Sequence, residues 1–356
     1  MGSVTLSTRP SGGFVPEPVL SLRDLVVDFA TEDGLVHAVD GVSYDIYPGE
    51  TLGVVGESGS GKSVTVMSIL GLIPTPPGRI VRGEAFFKGV DLLKVRDREL
   101  RDIRGKDIAM IFQDPMTSLN PVFTVGEQIA EAMEVHDSRL KDKEARARAI
   151  ELLQLVGVPN AERRVDQYPH EYSGGMRQRA MIAMSIANQP SLLIADEPTT
   201  ALDVTIQAQI LEVMKKAQVE TNAATIMITH DLGIIAELAD RVAVMYAGHI
   251  VEVGDADTIF HRPRHPYTLG LMNSLPRLEA DERWLKPIPG QPPSMINLPP
   301  GCPFHPRCEL SQGREACRTD FPLLESIDSS QHKSACHFKQ ELAGETSKFV
   351  EEGAAS

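Results

Sequence analysis

At 356 residues, with 42% hydrophobic and 24% charged residues, the chain has the composition of a globular protein with room for one large core plus an appended module, or for two modest domains. Its formal charge of -14, with no stripe dense in Lys and Arg, repels a phosphate backbone and argues against nucleic acid as a partner. No apolar run approaches the roughly 18 to 20 residues of a membrane span, so the chain is not expected to cross a bilayer by itself.

The N-terminus, MGSVTLSTRPSGGFVPEP, lacks the basic patch and apolar stretch of a secretory signal, and residues 1 to 19 read as a loose arm on a cytosolic protein. Residues 20 to 56 alternate β-branched apolar runs with turns at Gly34, Gly41 and Pro48-Gly49, which is strand chemistry. The last of these runs, TLGVVG, leads into GESGSGKS at residues 56 to 63, and SVTVMSILGLI then predicts a helix ending near Gly71. Strand, loop and helix in that order make a phosphate cradle. Gly56, Gly59 and Gly61 let the backbone wrap tightly, amides of the loop around Ser58 and Ser60 turn inward, and the helix N-terminus adds its positive dipole. Lys62 supplies a charge for the β- and γ-phosphates of ATP, and the Ser63 hydroxyl supplies a ligand for Mg2+.

Residues 124 to 190 follow a helical period, clearest in VGEQIAEAMEV and ARAIELLQLVG. Within them EYSGGMRQR sets Ser173, Gly174 and Gly175 before a helix-like run, a second small-residue helix start able to contact phosphate oxygens. Two such starts can serve one nucleotide if they come from different subunits facing each other. Buried-type strands return in SLLIAD, ATIMITH and VAVMYAG, separated by the helical TIQAQILEVMKKAQ and LGIIAELAD, as a parallel sheet of βαβ units requires. The first delivers Asp196 and Glu197 to a strand end. There Asp196 can hold Mg2+, directly or through water, and Glu197 can polarise an attacking water.

Beyond residue 265 the texture changes. Six prolines from Pro287 to Pro300 read as a rigid linker to a small separate module, and the last stretch, KQELAGETSKFVEEGAAS, reads as a polar tail. The module holds every cysteine of the chain: Cys302, Cys308, Cys317 and Cys336. In a reducing cytosol such a quartet points to metal ligation before disulfides. Its separations of five, eight and eighteen residues lack the short spacing of zinc knuckles, whereas an iron–sulfur cluster tolerates irregular loops. An iron–sulfur cluster, zinc, and metal-free thiols or a redox disulfide all stay open on the residues alone.

The motifs, in their order, resemble the nucleotide-binding subunits of ABC transporters over about residues 20 to 265: GESGSGKS as Walker A, IFQDP as the Q-loop, YSGGM as the signature, SLLIADE as Walker B, ALD as the D-loop and ITHD as the H-loop. The resemblance implies an α/β fold, a P-loop ABC ATPase core with a RecA-like parallel sheet plus antiparallel strands. It adds a helical subdomain at about 115 to 175, a C-terminal accessory module at 266 to 340 and a tail at 341 to 356. It further implies that Gln113 contacts Mg2+ or the attacking water, that Glu197 is the general base, that His230 contacts the γ-phosphate, that Asp203 of the D-loop belongs to the ATP site, and that Phe29 stacks on adenine. The signature departs from the common LSGGQ, with Tyr172 in place of Leu and Met176 in place of Gln. Met cannot hydrogen-bond as Gln does.

FQDPMTSLNP and RHPYTLGLMNSLP narrow the resemblance to the ATPases of oligopeptide, dipeptide and nickel importers. The expected function is ATP hydrolysis that powers import of di- or oligopeptides. The chain would work peripherally on the cytoplasmic face of the cell membrane with two transmembrane permease subunits, an extracytoplasmic solute-binding protein and a second ATPase, expected to be a different chain, in a head-to-tail dimer. Import of nickel or another small solute is the alternative, followed by a non-transport ABC ATPase with a redox-sensing role. The cysteine quartet resembles the tail of peptide-importer ATPases, which implies a [4Fe–4S] cluster on Cys302, Cys308, Cys317 and Cys336, with Zn2+ as the alternative.

Overall fold

The computed structural model describes residues 7–8, 14–200, 203–274, 287–327 and 331–344. In chain order its principal elements are β1 (Leu20–Thr31), β2 (Gly34–Ile46), β3 (Thr51–Val55), α1 (Lys62–Ile69), β4 (Gly78–Phe87), α2 (Asp97–Ile103) and β5 (Ile108–Ile111). Then come α3 (Val125–Glu134), α4 (Asp142–Leu155), α5 (Gly174–Ser185), β6 (Leu192–Asp196), α6 (Val204–Thr221), β7 (Ala224–Ile228), α7 (Leu232–Leu238), β8 (Arg241–Tyr246), β9 (His249–Asp255), α8 (Ala256–His261) and α9 (Pro266–Asn273). Two short strands close the order, β10 (Glu325–Ser326) and β11 (Lys333–Ser334). In the arm, Ser7–Thr8 pairs antiparallel with Phe14–Val15; residues 1–6 and 9–13 of that expectation lie outside the described residues.

The chain divides into two compact units that interleave along the sequence. One consists of Met1–Ser21, Asp45–Thr51 and Phe86–Ile228, the other of Leu22–Tyr44, Leu52–Ala85 and Thr229–Ser356.

In the first unit, β6 lies between β5 and β7, parallel to both, with Leu192 opposite Ile108 on one side and Ala224 on the other. Every residue of β6 and β7 is buried, and the runs LLIA and ATIMI, apolar but for Thr225, suit strands covered on both faces. Helices α3, α4 and α5 pack on one another. Helix α3 opens with a capping box: Thr124 Oγ1 accepts the Glu127 N–H at 3.2 Å while the Glu127 carboxylate accepts the Thr124 N–H at 2.7 Å.

In the second unit, β3 runs parallel to β8, and β8 turns back antiparallel into β9. Residues 287 to 344, expected to stand apart behind a linker, pack inside this unit instead. Their β11 pairs antiparallel with β9, Glu252 facing Ser334, and β10 pairs with β11 in turn. The proline-rich stretch is anchored as well, since the His37 N–H donates to Met295 O at 3.0 Å. Glu252, with no exposed surface, accepts the N–H of Arg264 at 2.5 Å, the N–H of His265 at 3.0 Å and His332 Nε2 at 2.7 Å. A carboxylate so buried needs donors of this kind, and here they come from both sides of the expected boundary. Of the expected tail, Glu341–Gly344 forms a single turn, with Arg314 paired to Glu341, and residues 345–356 lie outside the described residues.

Candidate functional site

The phosphate loop belongs to the second unit. It leaves β3 at Gly56 and enters α1 at Lys62, with Gly56 at φ +153°, Gly59 at +76° and Gly61 at +100°, all in the region where a side chain strains the backbone. Two of these glycines are also closed in by backbone: a Cβ at Gly56 would sit 2.1 Å from Met245 O, and one at Gly61 2.4 Å from Ala38 O. Ser58 and Gly59 are exposed, Ser60 and Lys62 are buried, and Ser63 is half-buried. The Lys62 ammonium donates to Gly56 O at 2.8 Å and Glu57 O at 3.0 Å, folded back on its own loop. An α1 N-terminus wrapped in this way can take an anion, and its glycine cradle is of the kind the expected ATP needs.

The acidic residues belong to the first unit. Asp196 is the last residue of β6 and is buried. Glu197 follows at φ +47°, unusual for a residue with a side chain, and its N–H donates to Ile228 O at 2.8 Å. Its Oε2 accepts Gln113 Nε2 at 3.0 Å and Thr200 Oγ1 at 2.8 Å. The structure therefore brings Gln113 and Glu197 together, two residues 84 positions apart in sequence, at the end of β6. Thr200 escaped the sequence reading, and the only signal was a hydroxyl three residues beyond the acid.

The signature heads α5. Ser173 is its N-cap, accepting the Met176 N–H at 3.4 Å; Gly174 faces open space, while a Cβ at Gly175 would meet Ile206 of α6 at 2.8 Å. Tyr172, the departure from Leu, is buried, and its hydroxyl donates to Arg164 O at 2.9 Å. Burial pushes that phenol up to about 12. Asp203 caps α6, accepting the Ile206 N–H at 3.0 Å, while Ala201 and Leu202 of the D-loop lie outside the described residues. His230 is exposed just before α7 in the second unit, where Phe29 is half-buried with its ring against Gly78; a Cβ at Gly78 would come within 2.9 Å of that ring.

Two further residues touch the phosphate loop. Tyr267, in the HPYT stretch, accepts the Glu57 N–H on its hydroxyl at 2.8 Å, and Arg307, within GCPFHPRC, pairs with the Glu57 carboxylate. Neither belongs to a nucleotide motif.

Cys302, Cys308, Cys317 and Cys336 are free thiols around one cavity of about 20 Å3, which His265, Phe304 and Phe338 also line. The donor set suits a four-thiolate centre, and the cavity as it stands has room for about one water molecule between the side chains. Among the described residues no group of three or more His, Cys, Asp or Glu is placed to hold a metal ion. The expected metal quartet is thus gathered without being set as a ligand shell. Burial pushes the Cys302 thiol up to about 11 and Cys336 up to about 12, and raises Cys308 and Cys317 as well. A desolvated thiol without a cation beside it keeps its proton.

Among the described residues no helix is long and apolar enough to cross a membrane. A model of the ABC transporter family matches residues 39–200, and one of the oligopeptide/dipeptide transporter C-terminal region matches residues 251–317. The dipeptide transport ATP-binding protein DppD of Bacillus subtilis (strain 168) is 51% identical, over 92% of this chain and 96% of its own length. The oligopeptide transport ATP-binding protein OppD of the same organism is 57% identical, over 89% of this chain and 88% of its own length. Among solved structures, a dimeric post-hydrolysis state of the ATP-binding cassette MJ0796 bound to ADP and Pi matches with a TM-score of 0.60 at 26% identity, covering 67% of this chain and 98% of that one.

Proposed function

Because the chain belongs to the ABC transporter family, in its oligopeptide and dipeptide branch, we propose that it hydrolyses ATP to power import of di- or oligopeptides by partner chains. The observation that carries the reading at residue level is the Glu197 carboxylate held by Gln113 and Thr200 immediately after Asp196. In this role Glu197 polarises water, and Gln113 and Thr200 orient it. Lys62 leaves the carbonyls of Gly56 and Glu57 for the phosphates, which loop amides from Ser58 to Ser63 cradle. His230 faces the γ-phosphate, and Phe29 takes the adenine face. Ser63, Asp196 and Gln113 would hold Mg2+, which when bound neutralises phosphate charge.

Ser173, Gly174 and Gly175 of one subunit serve the nucleotide on a partner ATPase, with Asp203 beside them, in a head-to-tail dimer. Met176 in place of Gln permits a partner that is a different chain, which is the partner expected. Transport across the bilayer then falls to two permease subunits, fed by an extracytoplasmic solute-binding protein, with this chain bound to them at the cytoplasmic face. An apolar groove of about 370 Å3 on the first unit, lined by Ala109, Phe112, Val135, Met181 and Met184 among others, supports such a docking.

Co-purification in mild detergent tests the proposal. Permeases and a second ATPase should accompany the chain, the isolated chain should bind ATP yet turn over slowly, and peptides should stimulate the reconstituted complex. Stimulation by nickel and not by peptides would decide for the alternative solute. A fast ATPase from the lone chain, independent of its concentration, would sink the partner-dependent reading.

For Cys302, Cys308, Cys317 and Cys336, a [4Fe–4S] centre is proposed on the donor set alone, with Zn2+ as the alternative; the thiols would have to rearrange to admit either. No step of hydrolysis runs through it. Protein purified without oxygen should be brown with about four irons per chain. A colourless preparation with stoichiometric zinc would decide for zinc, and one free of both metals for thiols alone.

A further inference from the structure

The loop between Cys302 and Cys308 carries Arg307 onto the phosphate loop. Its guanidinium grips the Glu57 carboxylate with both prongs, Nη1 to Oε2 at 2.7 Å and Nη2 to Oε1 at 2.9 Å. Its Nε donates to Pro289 O at 2.9 Å, and its Cζ lies 5.8 Å from the ring centroid of Tyr246 and 5.9 Å from that of Phe304. The Arg307 side chain is 5% exposed and that of Glu57 is 27% exposed. A two-pronged pair this well covered fixes the position and orientation of the carboxylate it holds.

Glu57 is the second residue of GESGSGKS, and the same residue is held twice more by its backbone. Its N–H donates to Tyr267 Oη at 2.8 Å, and its carbonyl accepts Lys62 Nζ at 3.0 Å. The C-terminal residues therefore hold the phosphate loop at two points, one of them adjacent in bonding to the lysine that meets phosphate. A carboxylate at this place would repel a polyphosphate unless its charge were cancelled.

We infer that Arg307 is a positioning residue for the phosphate loop. It cancels the Glu57 charge and sets the loop's shape, so affinity for Mg-ATP depends on the C-terminal cysteine segment. This rests on the reading of the loop as an ATP site. An arginine that merely stabilised the packing of Tyr246 and Phe304 would show no dependence on Glu57.

The test uses the full-length chain and calorimetric titration with Mg-ATP. R307M keeps the apolar stem but removes the charge, and it should weaken binding about tenfold, a coupling of ordinary size. In R307M/E57Q the uncancelled charge is gone, and binding should return to within about threefold of the unaltered chain. Binding by R307M as tight as by the unaltered chain, or a double variant no better than R307M, would overturn the inference. If R307M does not fold, R307K carries the test, since an ammonium cannot reproduce the fork. Weakening of about threefold then supports the positioning role, and an unchanged Kd overturns it. Failure of the unaltered chain to bind Mg-ATP would instead remove the nucleotide reading itself.

Discussion

Glu197 shows what one residue demands of its neighbours. A left-handed backbone on a residue with a side chain costs roughly 1 to 2 kcal/mol, and the bond from its N–H to Ile228 O holds it there. That conformation turns the carboxylate toward Gln113 and Thr200. Glu197→Gln should keep ATP affinity, because the amide is isosteric, while hydrolysis in the assembled complex falls by roughly 10² to 10⁴. Near-normal turnover would remove Glu197 from the role of base. Thr200→Val deletes only the bond to Oε2, so kcat should fall about tenfold with KM unchanged, the pattern of a lost orienting contact. Steady-state kinetics separates the two constants, and a rise in KM alone would place Thr200 in binding.

Among the elements, α3 decides how the helical layer of the first unit closes. Its Gly126 faces Val165, where an added Cβ would lie 2.4 Å from Val165 Cγ2 and 2.6 Å from Val165 O. Alanine ordinarily helps a helix by up to about 1 kcal/mol, but backbone cannot yield here, so Gly126→Ala should destabilise by about 1 to 3 kcal/mol. A urea midpoint at or above that of the unaltered chain would show that α3 can shift. The start of the same helix gives a pH effect with a definite sign. The Thr124 N–H, and after it the Thr124 hydroxyl, hold the Glu127 carboxyl below the usual range. A folded-state pKa below the unfolded one stabilises at pH above the unfolded value and is lost as pH falls through the folded value. Glu127→Gln should therefore lower the urea midpoint near neutrality and have a shrinking effect in acid. An effect of equal size at both pH values would exclude this cause.

For the molecule as a whole, the C-terminal residues are part of the unit that carries the phosphate loop. His332, from the strand-bearing end of the chain, donates to the fully buried Glu252 of β9. His332→Ala removes a hydrogen bond to a buried carboxylate and should cost about 2 kcal/mol, loosening β10 and β11 first. Limited proteolysis should then cut between residues 320 and 344 well before the strands β3 and β8 open. Cleavage as slow as in the unaltered chain would mean the remaining N–H donors of Arg264 and His265 suffice.

The features legible in the order of residues alone are local and contiguous. The phosphate loop was legible because strand, glycines, lysine and helix occupy one short run, and the glycines are required wherever the chain turns that tightly. Strand β6 was legible as a short buried-type apolar run ahead of two acids, and the helix start at Ser173 from the small residues that open it; the cap at Asp203 emerges from the fold. The partners of those residues are set by how the chain folds back on itself. Gln113 reaches Glu197 across 84 positions and Arg307 reaches Glu57 across 250, and no local pattern records either pairing. The prolines before Cys302 read as a linker because their composition is the same whether the chain runs through water or along a surface. Hydrogen bonds such as that from His37 to Met295 choose between the two. The cysteine spacing likewise picked out the four thiols, but the size of the space between them is a property of packing, since it depends on how closely Phe304, Phe338 and the sequence-distant His265 press in.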